Sequence, residues 1–416
     1  MRNSRAHVIR AGIGLTALSA LLLAGCSSAS DTAEFSDDTE SAAAESSEQA
    51  APEEDAPQYD HRVESGFFAA DVSKDLTTSD TIRPEKGDVT TPNGTLEVKQ
   101  IEALDDIKAA TGDLEAVFDE ETGEEIPYGP AEGDVFRIFD LSYVPGGELF
   151  DESDRPGTDL SLLINGKQIH LAELSTQSQA RYLVSVPADG SAKFVVSSDG
   201  HDQFIDLLTG EREDDPIADV YYRDVIRQEP HHKFQIPTTK LGATYSDQTG
   251  TADISYDFRL ASAELTPWQP DEGWAEEGRA WLALDWEYAV DNGTSDGFYG
   301  LLDVDQFTGN MVVEVGDESS ELTQTAQRES LNFHGKDLRG YISVPSDTTK
   351  AFVHADGTVT LKPREMSQTK LTGDETARFT SDKFALDFPD ANLAEAEAET
   401  PADTPSEAPD GDDSES

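Results

Sequence analysis

The chain has 416 residues, of which 36% are hydrophobic, 28% are charged and one is cysteine. Its 85 acidic residues outnumber 30 Lys and Arg, and the resulting net charge of -55 opposes binding to nucleic acids, which depends on neutralising phosphates with cationic side chains. A single cysteine excludes an intrachain disulfide, and the length corresponds to about two or three domains.

Residues 1–25 have the pattern of an export signal. Three arginines within the first ten residues are followed by an apolar run, Ala11–Ala24, that is too short to span a bilayer. The run ends in Leu23-Ala24-Gly25-Cys26, which matches the bacterial lipobox. We therefore predict a lipoprotein signal peptide over 1–25 and a diacylglyceryl group, with palmitate as a typical acyl chain, on Cys26. Two or more acyl chains anchor a protein stably, so the mature chain is expected on the outer face of the cell membrane.

Two acidic segments flank the part of the chain that can fold. Ser27–Asp60 holds 11 acidic residues and Asp390–Ser416 holds 10, and neither contains Lys or Arg. Low hydrophobicity and like charge oppose folding, so we predict a disordered tether over 26–65 and a disordered tail over 389–416. The region between them keeps 64 acidic and 27 basic residues, a net charge of -37. This surface suits a salt-rich habitat or diffuse binding of calcium, and the sequence leaves both interpretations open.

The middle of the chain contains an internal repeat. Gly133–Tyr143 aligns with Gly278–Tyr288, and Leu183–Asp189 aligns with Tyr341–Asp347. Two shorter matches follow in the same order, Phe194-Val195 with Phe352-Val353 and Asp199-Gly200 with Asp356-Gly357. The common order predicts two copies of one domain. We place the first repeat at 66–213, a connector at 214–249 and the second repeat at 250–388.

The aligned blocks are predicted to form strands. Phe139, Leu141 and Tyr143 alternate with other residues, and Leu284, Trp286 and Tyr288 do the same. A period of two places each set on one core-facing side of a strand. Asp140 and Asp285 then lie on the opposite side.

Turn-forming residues separate the predicted strands. Gly, Asn and Asp tolerate the left-handed backbone of tight hairpins. The candidate turns are Pro92-Asn93-Gly94, Pro145-Gly146-Gly147, Asp199-Gly200, Asp291-Asn292-Gly293 and Asp356-Gly357. Short helices are expected after Asp215-Pro216 and within Leu104–Glu125. Many short strands with frequent turns predict a mainly β fold of two tandem antiparallel β-sandwich domains with disordered acidic termini.

At the paired strands and the Ser-Val-Pro blocks (185–187 and 343–345), the chain resembles actinobacterial exported lipoproteins with tandem immunoglobulin-like domains. The nearest group is the immunoprotective extracellular, Ig-like family. This resemblance covers most of 66–388 and implies Ig-like sandwiches outside the cytoplasm. It implies no catalytic residues.

Several short motifs that could carry chemistry lack the context that the chemistry needs. Gly293–Gly297 matches G-x-S-x-G but is expected in a loop between strands, and Ser367–Lys370 matches S-x-x-K without its partner motifs. Asp303 and Asp305 resemble part of a calcium loop that lacks its turn glycine. The adjacent pair His231-His232 has no third ligand at metal-binding spacing. We therefore predict no catalytic residue, metal site or cofactor.

All four tryptophans lie within 19 residues of the second repeat. Trp286 is on the predicted core side of its strand, and Trp281 is on the opposite side. Trp268 and Trp274 lie in a segment rich in Pro, Glu and Gly. Exposed aromatic rings stack on sugars or anchor protein partners, so Trp268, Trp274 and Trp281 form a candidate binding patch. The alternative is that these rings cover the end of the sandwich.

These features predict a non-enzymatic, membrane-anchored lipoprotein that presents two Ig-like modules for binding or envelope interaction. Its expected partners are the membrane, through the lipid on Cys26, and a cell-wall glycan or another envelope protein. The alternative function is carbohydrate or solute binding through the tryptophan segment or the cleft between the repeats. An exported hydrolase would require a converged catalytic cluster, which the sequence does not reveal.

Overall fold

The structure is a computed structural model that describes residues 58–390 except residues 112, 147–154, 247, 295–301, 328–332 and 366. The described residues belong to one compact, mainly β unit. The predicted signal peptide, Cys26, the tether before Gln58 and the tail after Asp390 lie outside them. Among the described residues, no helix has the length and apolar character needed to cross a membrane.

The first repeat and the segment before it contain two main sheets. Strands β1 to β12 are His61–Arg62, Phe68–Ala69, Asp80–Ile82, Asp88–Thr91, Gly94–Leu104, Tyr128–Gly129, Asp134–Pro145, Thr158–Ile164, Lys167–Glu173, Ser178–Pro187, Lys193–Ser198 and His201–Asp206. Sheet 1A has the order β2-β10-β7-β5-β3, with β4 also paired to β5, and sheet 1B has the order β12-β11-β8-β9. Strands β1 and β6 form a short parallel pair.

The connector and the second repeat also contain two main sheets. Strands β13 to β26 are Arg227–Gln228, His232–Lys233, Thr239–Tyr245, Gln248–Thr266, Trp268–Gln269, Gly273–Trp274, Arg279–Thr294, Leu302–Val315, Glu318–Gln327, Phe333–Pro345, Lys350–Pro363, Thr369–Leu371, Thr376–Thr380 and Phe384–Asp387. Sheet 2A has the order β22-β19-β16-β15-β24, with β13 and β14 also on β16. Sheet 2B has the order β21-β20-β23-β25, with β26 also on β23, and β17 pairs with β18.

Each pair of main sheets encloses an apolar core. The first core joins residues such as Tyr143 of sheet 1A to residues such as Phe194 of sheet 1B. The second core joins Trp286 of sheet 2A to Phe307 of sheet 2B. The predicted alternation is confirmed, because all six of the core-facing side chains in the two aligned blocks are buried: Phe139, Leu141, Tyr143, Leu284, Trp286 and Tyr288.

The two repeats have the same strand order and equivalent registers. The series β10-β7-β5-β4 in sheet 1A corresponds to β22-β19-β16-β15 in sheet 2A, and β12-β11-β8-β9 in sheet 1B corresponds to β25-β23-β20-β21 in sheet 2B. Pro187 pairs with Asp134 as Pro345 pairs with Arg279. The register also shifts at an equivalent point, between Val98 and Gln100 in β5 and between Leu260 and Ser262 in β16. A shared β-bulge is a specific feature, because it places particular side chains on a chosen face.

The predicted turns have different outcomes. Pro92-Asn93 and Asp199-Gly200 do connect neighbouring strands, and Asp199 and Gly200 both have positive φ, at 50° and 77°. Asp291-Asn292-Gly293 and Asp356-Gly357, in contrast, lie inside β19 and β23, so those two turn predictions are wrong. Gly357 allows a close approach between strands instead, since a Cβ at this position would lie 2.1 Å from the carbonyl oxygen of Thr308.

The alignment of Phe194-Val195 with Phe352-Val353 is also wrong by one position. Phe194 is fully buried in the first core, whereas Phe352 is 40% exposed. The buried side of β23 contains Ala351 and Val353 instead. A shift of one residue exchanges the two faces of a strand, so similar letters do not fix the register.

Helical structure is limited to 3₁₀ turns in the described residues. Ala218–Tyr222 forms the short helix expected after Asp215-Pro216, and Ala109–Thr111 is all that forms within Leu104–Glu125. The carboxylate of Asp215 accepts hydrogen bonds from the backbone N–H groups of Ile217 and Ala218 and so supports the start of its turn. The range 214–249 also contributes β13, β14 and β15 to sheet 2A.

Candidate functional site

The connector contacts both repeats through two adjacent side chains. The hydroxyl of Tyr222 accepts a hydrogen bond from the N–H of Thr90 at 2.9 Å and donates to Gln203 at 3.3 Å, both in the first repeat. The guanidinium of Arg223 donates to three carbonyl oxygens on the side of the second repeat, those of Ser346, Thr348 and Phe388, at 2.6 to 2.9 Å. Both residues are at the end of the same 3₁₀ turn, so this turn joins the two repeats directly.

Trp268 and Trp274 form a second connection between the repeats. The indole N–H of Trp268 donates to the carboxylate of Asp199 at 2.7 Å, and the indole N–H of Trp274 donates to the carbonyl oxygen of Ser198 at 2.8 Å. Ser198 and Asp199 are at the hairpin between β11 and β12 of the first repeat. Trp268 is 2% exposed and Trp274 is half-buried, so the ring of Trp268 offers no free face for a ligand.

Trp281 is the most peripheral member of the candidate binding patch. Its ring is half-buried, and its indole N–H donates to the carbonyl oxygen of Gly273 at 3.2 Å. This bond fixes the β17–β18 hairpin that carries Trp268 and Trp274 against β19. Ligand binding by Trp268, Trp274 and Trp281 stays a prediction, while their described contacts are with this hairpin and with the first repeat.

A histidine–aspartate pair lies beside the tryptophans. His201 Nε2 lies 2.7 Å from the carboxylate of Asp215, and the His201 ring lies 4.5 Å from the ring of Trp274. Burial acts to raise the pKa of Asp215, but hydrogen bonds from His201 and from the N–H groups of Ala218 and Ile217 outweigh it and lower that pKa. The carboxylate is therefore held in its charged form at the junction.

A cavity of about 400 Å³ lies between the connector and the two repeats. Its lining combines acidic and basic side chains with one aromatic ring, and it consists of Lys86, Arg212, Asp214, Pro216, Asp219, Val220, Tyr222, Arg223, Ser346, Asp347 and Asp390. Arg212 lies over the Tyr222 ring at 3.4 Å and pairs with Asp88 at 3.0 Å. Burial raises the pKa of Asp219, and the neighbouring carboxylates of Asp214 and Asp215 add to that shift. The cavity is thus a polar cleft of mixed charge.

The outer face of sheet 1A carries a buried ionic cluster. Arg181 on β10 donates to Asp140 on β7 at 2.9 Å and to Glu102 on β5 at 2.7 Å, and its side chain is 9% exposed. Gln100 donates to both carboxylates, at 2.8 and 2.7 Å. Asp140 points away from the core, as its position in the alternation predicts.

Sheet 2A carries the equivalent cluster with different contacts. Asp285 pairs with Arg339 at 3.4 Å and accepts a hydrogen bond from Ser262 at 2.6 Å. Glu264 occupies the position of Glu102, and its pairing is with Arg227 on β13 at 3.8 Å. The side chain of Glu264 is 6% exposed. Burial raises the pKa of Glu264 to about 7, and the charges of Arg227 and Arg339 offset only part of that effect.

The weaker sequence motifs occupy strands or packed positions. Asp303 and Asp305 lie in β20 and pair with Arg364 and Lys362, at 2.9 and 2.8 Å. His232 stacks on the ring of Phe384 at 4.1 Å. Within the part of the chain that the structure describes, no group of three or more His, Cys, Asp and Glu side chains could hold a metal ion.

Two of the remaining motifs are only partly described. Residues 295–297 of the G-x-S-x-G match lie outside the described residues, while Gly293 and Thr294 end β19. Ser367 bonds Thr369 at the start of β24, at 2.7 Å between their hydroxyl oxygens. In the S-x-x-K match, therefore, the hydroxyl is engaged with its own strand.

The residues at the junction were missed by sequence reasoning. Tyr222 interrupts the apolar stripe that predicts a helix, and that interruption marks its contact with the first repeat. Arg223 is a cation in an acidic chain, yet it is 9% exposed, a burial that charge alone does not indicate. Comparison with known proteins adds no identification, since no family model, curated protein or solved structure matches this chain.

Proposed function

We propose that this protein is a membrane-anchored, extracytoplasmic lipoprotein that presents two immunoglobulin-like β-sandwich modules, in one fixed arrangement, for binding or envelope interaction without enzymatic activity. The observation that carries the proposal is the junction, where Tyr222, Arg223, Trp268 and Trp274 hydrogen-bond across the repeats. Such contacts suit a protein whose two outer surfaces must face a partner together.

The sequence before the described residues supplies the rest of the argument. The lipobox ending at Cys26 supports attachment to the membrane. The acidic segment Ser27–Asp60 has 34 residues and, as a flexible coil, would have a root-mean-square span on the order of 30 Å. Its negative charge opposes collapse onto anionic headgroups, so it would hold the modules away from the membrane surface.

Anchoring is tested by metabolic labelling with an alkyne analogue of palmitate, followed by membrane fractionation of the producing cells. The unaltered chain is expected to carry the label and to sediment with membranes. Cys26→Ser is expected to abolish both properties, while Ser27→Ala serves as the matched control and keeps them. An unaltered chain that carries no label and stays in the soluble fraction of the cytoplasm would contradict the proposal.

Solute binding at the junction is the second candidate function, and the polar cavity of about 400 Å³ favours it. Drug-sized ligands occupy cavities of about 300–1,000 Å³, so a monosaccharide or dipeptide fits this volume. The test is isothermal titration with soluble cell-wall saccharides and muropeptides. Saturable binding that Arg212→Gln weakens and Trp281→Phe leaves unchanged would support the cavity as the site. Binding lost only in Trp281→Ala would favour the tryptophan segment.

A further inference from the structure

The first repeat contains a cavity of about 220 Å³ between its two sheets. It is lined mainly by apolar side chains of β5, β7, β8, β9 and β10 and by the residues just after β9, namely Leu96, Leu141, Tyr143, Leu160, Ala172, Glu173, Leu174, Thr176, Ser178, Ala180 and Tyr182. The deep wall contains buried Leu96, Leu160 and Tyr143, and the exposed residues Glu173, Thr176 and Ser178 are on the rim. The cavity therefore extends from the core of the first repeat to solvent.

One polar group in the lining has no described partner. The side chain of Tyr143 is 1% exposed, and its hydroxyl is buried without a hydrogen bond. Burial raises the pKa of Tyr143 to about 12, so the group is a neutral O–H donor at physiological pH. A buried donor without an acceptor costs about 1–3 kcal/mol, which makes such groups rare in folded proteins. A ligand with an acceptor atom would remove that cost.

The second repeat fills the equivalent space with larger side chains. Equivalent positions follow from the registers of β5 with β7 and of β16 with β19, which share the bulge. Register also relates β10 to β22 through the pairs Ala180–Leu141 and Leu338–Trp286. The replacements from first to second repeat are Gly94 to Tyr256, Leu96 to Phe258, Leu141 to Trp286 and Ala180 to Leu338.

Those larger side chains pack directly against one another. The rings of Phe258 and Trp286 are stacked at 6.1 Å between centroids, and those of Phe258 and Tyr288 at 5.6 Å. Leu338 packs against the same core. The fold is thus compatible with a filled core at this place. The open space in the first repeat is a property of its own residues rather than a requirement of the fold.

We propose that this cavity binds a small apolar molecule that carries one hydrogen-bond acceptor, and that the hydroxyl of Tyr143 donates to that acceptor. An apolar cavity of about 150 Å³ holds benzene, and drug-sized ligands need about 300 Å³ or more. A cavity of about 220 Å³ therefore suits a single substituted ring or a short acyl chain. The buried hydroxyl selects a carbonyl, ester or ether oxygen over a pure hydrocarbon. The site is independent of lipid attachment and of the junction cavity.

The direct test is isothermal titration of the full chain with acetophenone, which has a ring and a carbonyl acceptor, and with ethylbenzene, a hydrocarbon of similar shape. Both are expected to bind one site, acetophenone more tightly. Tyr143→Phe should weaken acetophenone about three- to tenfold, the range of one net hydrogen bond, and leave ethylbenzene unchanged. The matched control in the second repeat, Tyr288→Phe, should change neither affinity.

A second variant tests the cavity itself without removing the hydroxyl. Ala180→Leu introduces the side chain that the second repeat has at the equivalent position and should abolish binding of both probes while the melting temperature stays the same or rises. No saturable binding of either probe to the unaltered chain, up to the solubility limit, would overturn the proposal. Equal binding to the unaltered chain and to Ala180→Leu would overturn it as well, because the probe would then occupy another place.

Discussion

The two repeats have the same strand order and the same bulge, but their cores are filled differently. The second repeat packs Phe258, Trp286 and Tyr288 as stacked rings, whereas the first repeat has Leu96 and Leu141 at the first two of these positions beside a cavity. Strand order and register are therefore preserved while core volume differs. The comparison indicates that backbone pairing determines the fold here, and that side-chain volume determines what each repeat can accommodate.

The ionic clusters on the outer faces show the same contrast. In the first repeat Arg181 contacts both Asp140 and Glu102, so each buried carboxylate has a charged partner at hydrogen-bond distance. In the second repeat Glu264 is buried at an equivalent position with its cation 3.8 Å away. One duplicated arrangement thus gives a satisfied network in one copy and a carboxyl group with a raised pKa in the other.

The largest expected effect comes from truncating the filled core. Trp286→Ala should lower the free energy of unfolding by about 3–5 kcal/mol, because it removes a large buried ring and leaves a void. Leu141→Ala, the equivalent change, should cost about 2 kcal/mol, because it only enlarges an existing cavity. Urea unfolding monitored by circular dichroism measures both values. Equal losses would show that the two cores are packed alike.

The next effect concerns the ionic cluster. Arg181→Met should destabilise the protein by about 3 kcal/mol, because it leaves Asp140 and Glu102 buried without their cation. The matched change Arg339→Met should cost less than about 1 kcal/mol, since the side chains of Arg339 and Asp285 are 28% and 36% exposed. Midpoints of urea unfolding compare the two variants. A larger loss from Arg339→Met would reverse the assignment.

The pH dependence of stability should come partly from Glu264. Its folded pKa of about 7 lies above the ordinary value of 4.5, so its stabilising contribution is complete below pH 4.5 and is lost as the pH rises through 7. The difference corresponds to about 2–3 kcal/mol between pH 4.5 and 8. The neighbouring groups that act on it are Arg227, Arg339 and Asp285.

Glu264→Gln should remove this loss, because glutamine resembles the neutral acid. Melting temperatures measured from pH 5 to 8 should therefore fall less in the variant than in the unaltered chain, while the two proteins agree near pH 5. Parallel pH profiles would mean that Glu264 titrates with an ordinary pKa.

The smallest expected effect comes from the indole donors at the junction. Trp268→Phe should cost about 1–2 kcal/mol, since it keeps most of the packing and removes only the hydrogen bond to the Asp199 carboxylate. Trp281→Phe is the control within the second repeat and should cost about 0.5 kcal/mol, because its N–H bonds a backbone carbonyl at 3.2 Å. Thermal unfolding of both variants provides the comparison. A smaller loss at Trp268 than at Trp281 would contradict the role of this bond.

Much of the architecture could be predicted from period-two patterns, because burial of alternate residues is a local property of the sequence. The strands around Leu141 and Trp286 follow this pattern, and the hairpin at Asp199-Gly200 follows from its turn residues. Gly357 could not be assigned in the same way, because a glycine that permits close strand contact has the same letter as one that permits a turn.

The junction and the cavity were harder to predict for a different reason. The burial of Arg223 and the bond from Trp268 to Asp199 both depend on contacts between residues far apart in sequence. The cavity beside Tyr143 depends on the volumes of side chains from several strands. Neither property can be obtained from local periodicity, which reports the burial of a residue but not its neighbours.

The fixed arrangement of the two repeats is tested most directly by a distance measurement between them. Spin labels are placed at the exposed positions 167 and 321 by Lys167→Cys and Glu321→Cys in a Cys26→Ser background, and pulsed electron resonance reports the distance distribution. The junction contacts predict one narrow distribution, which Trp268→Phe combined with Tyr222→Phe should broaden. A broad distribution in the chain with its junction residues intact would contradict a fixed arrangement.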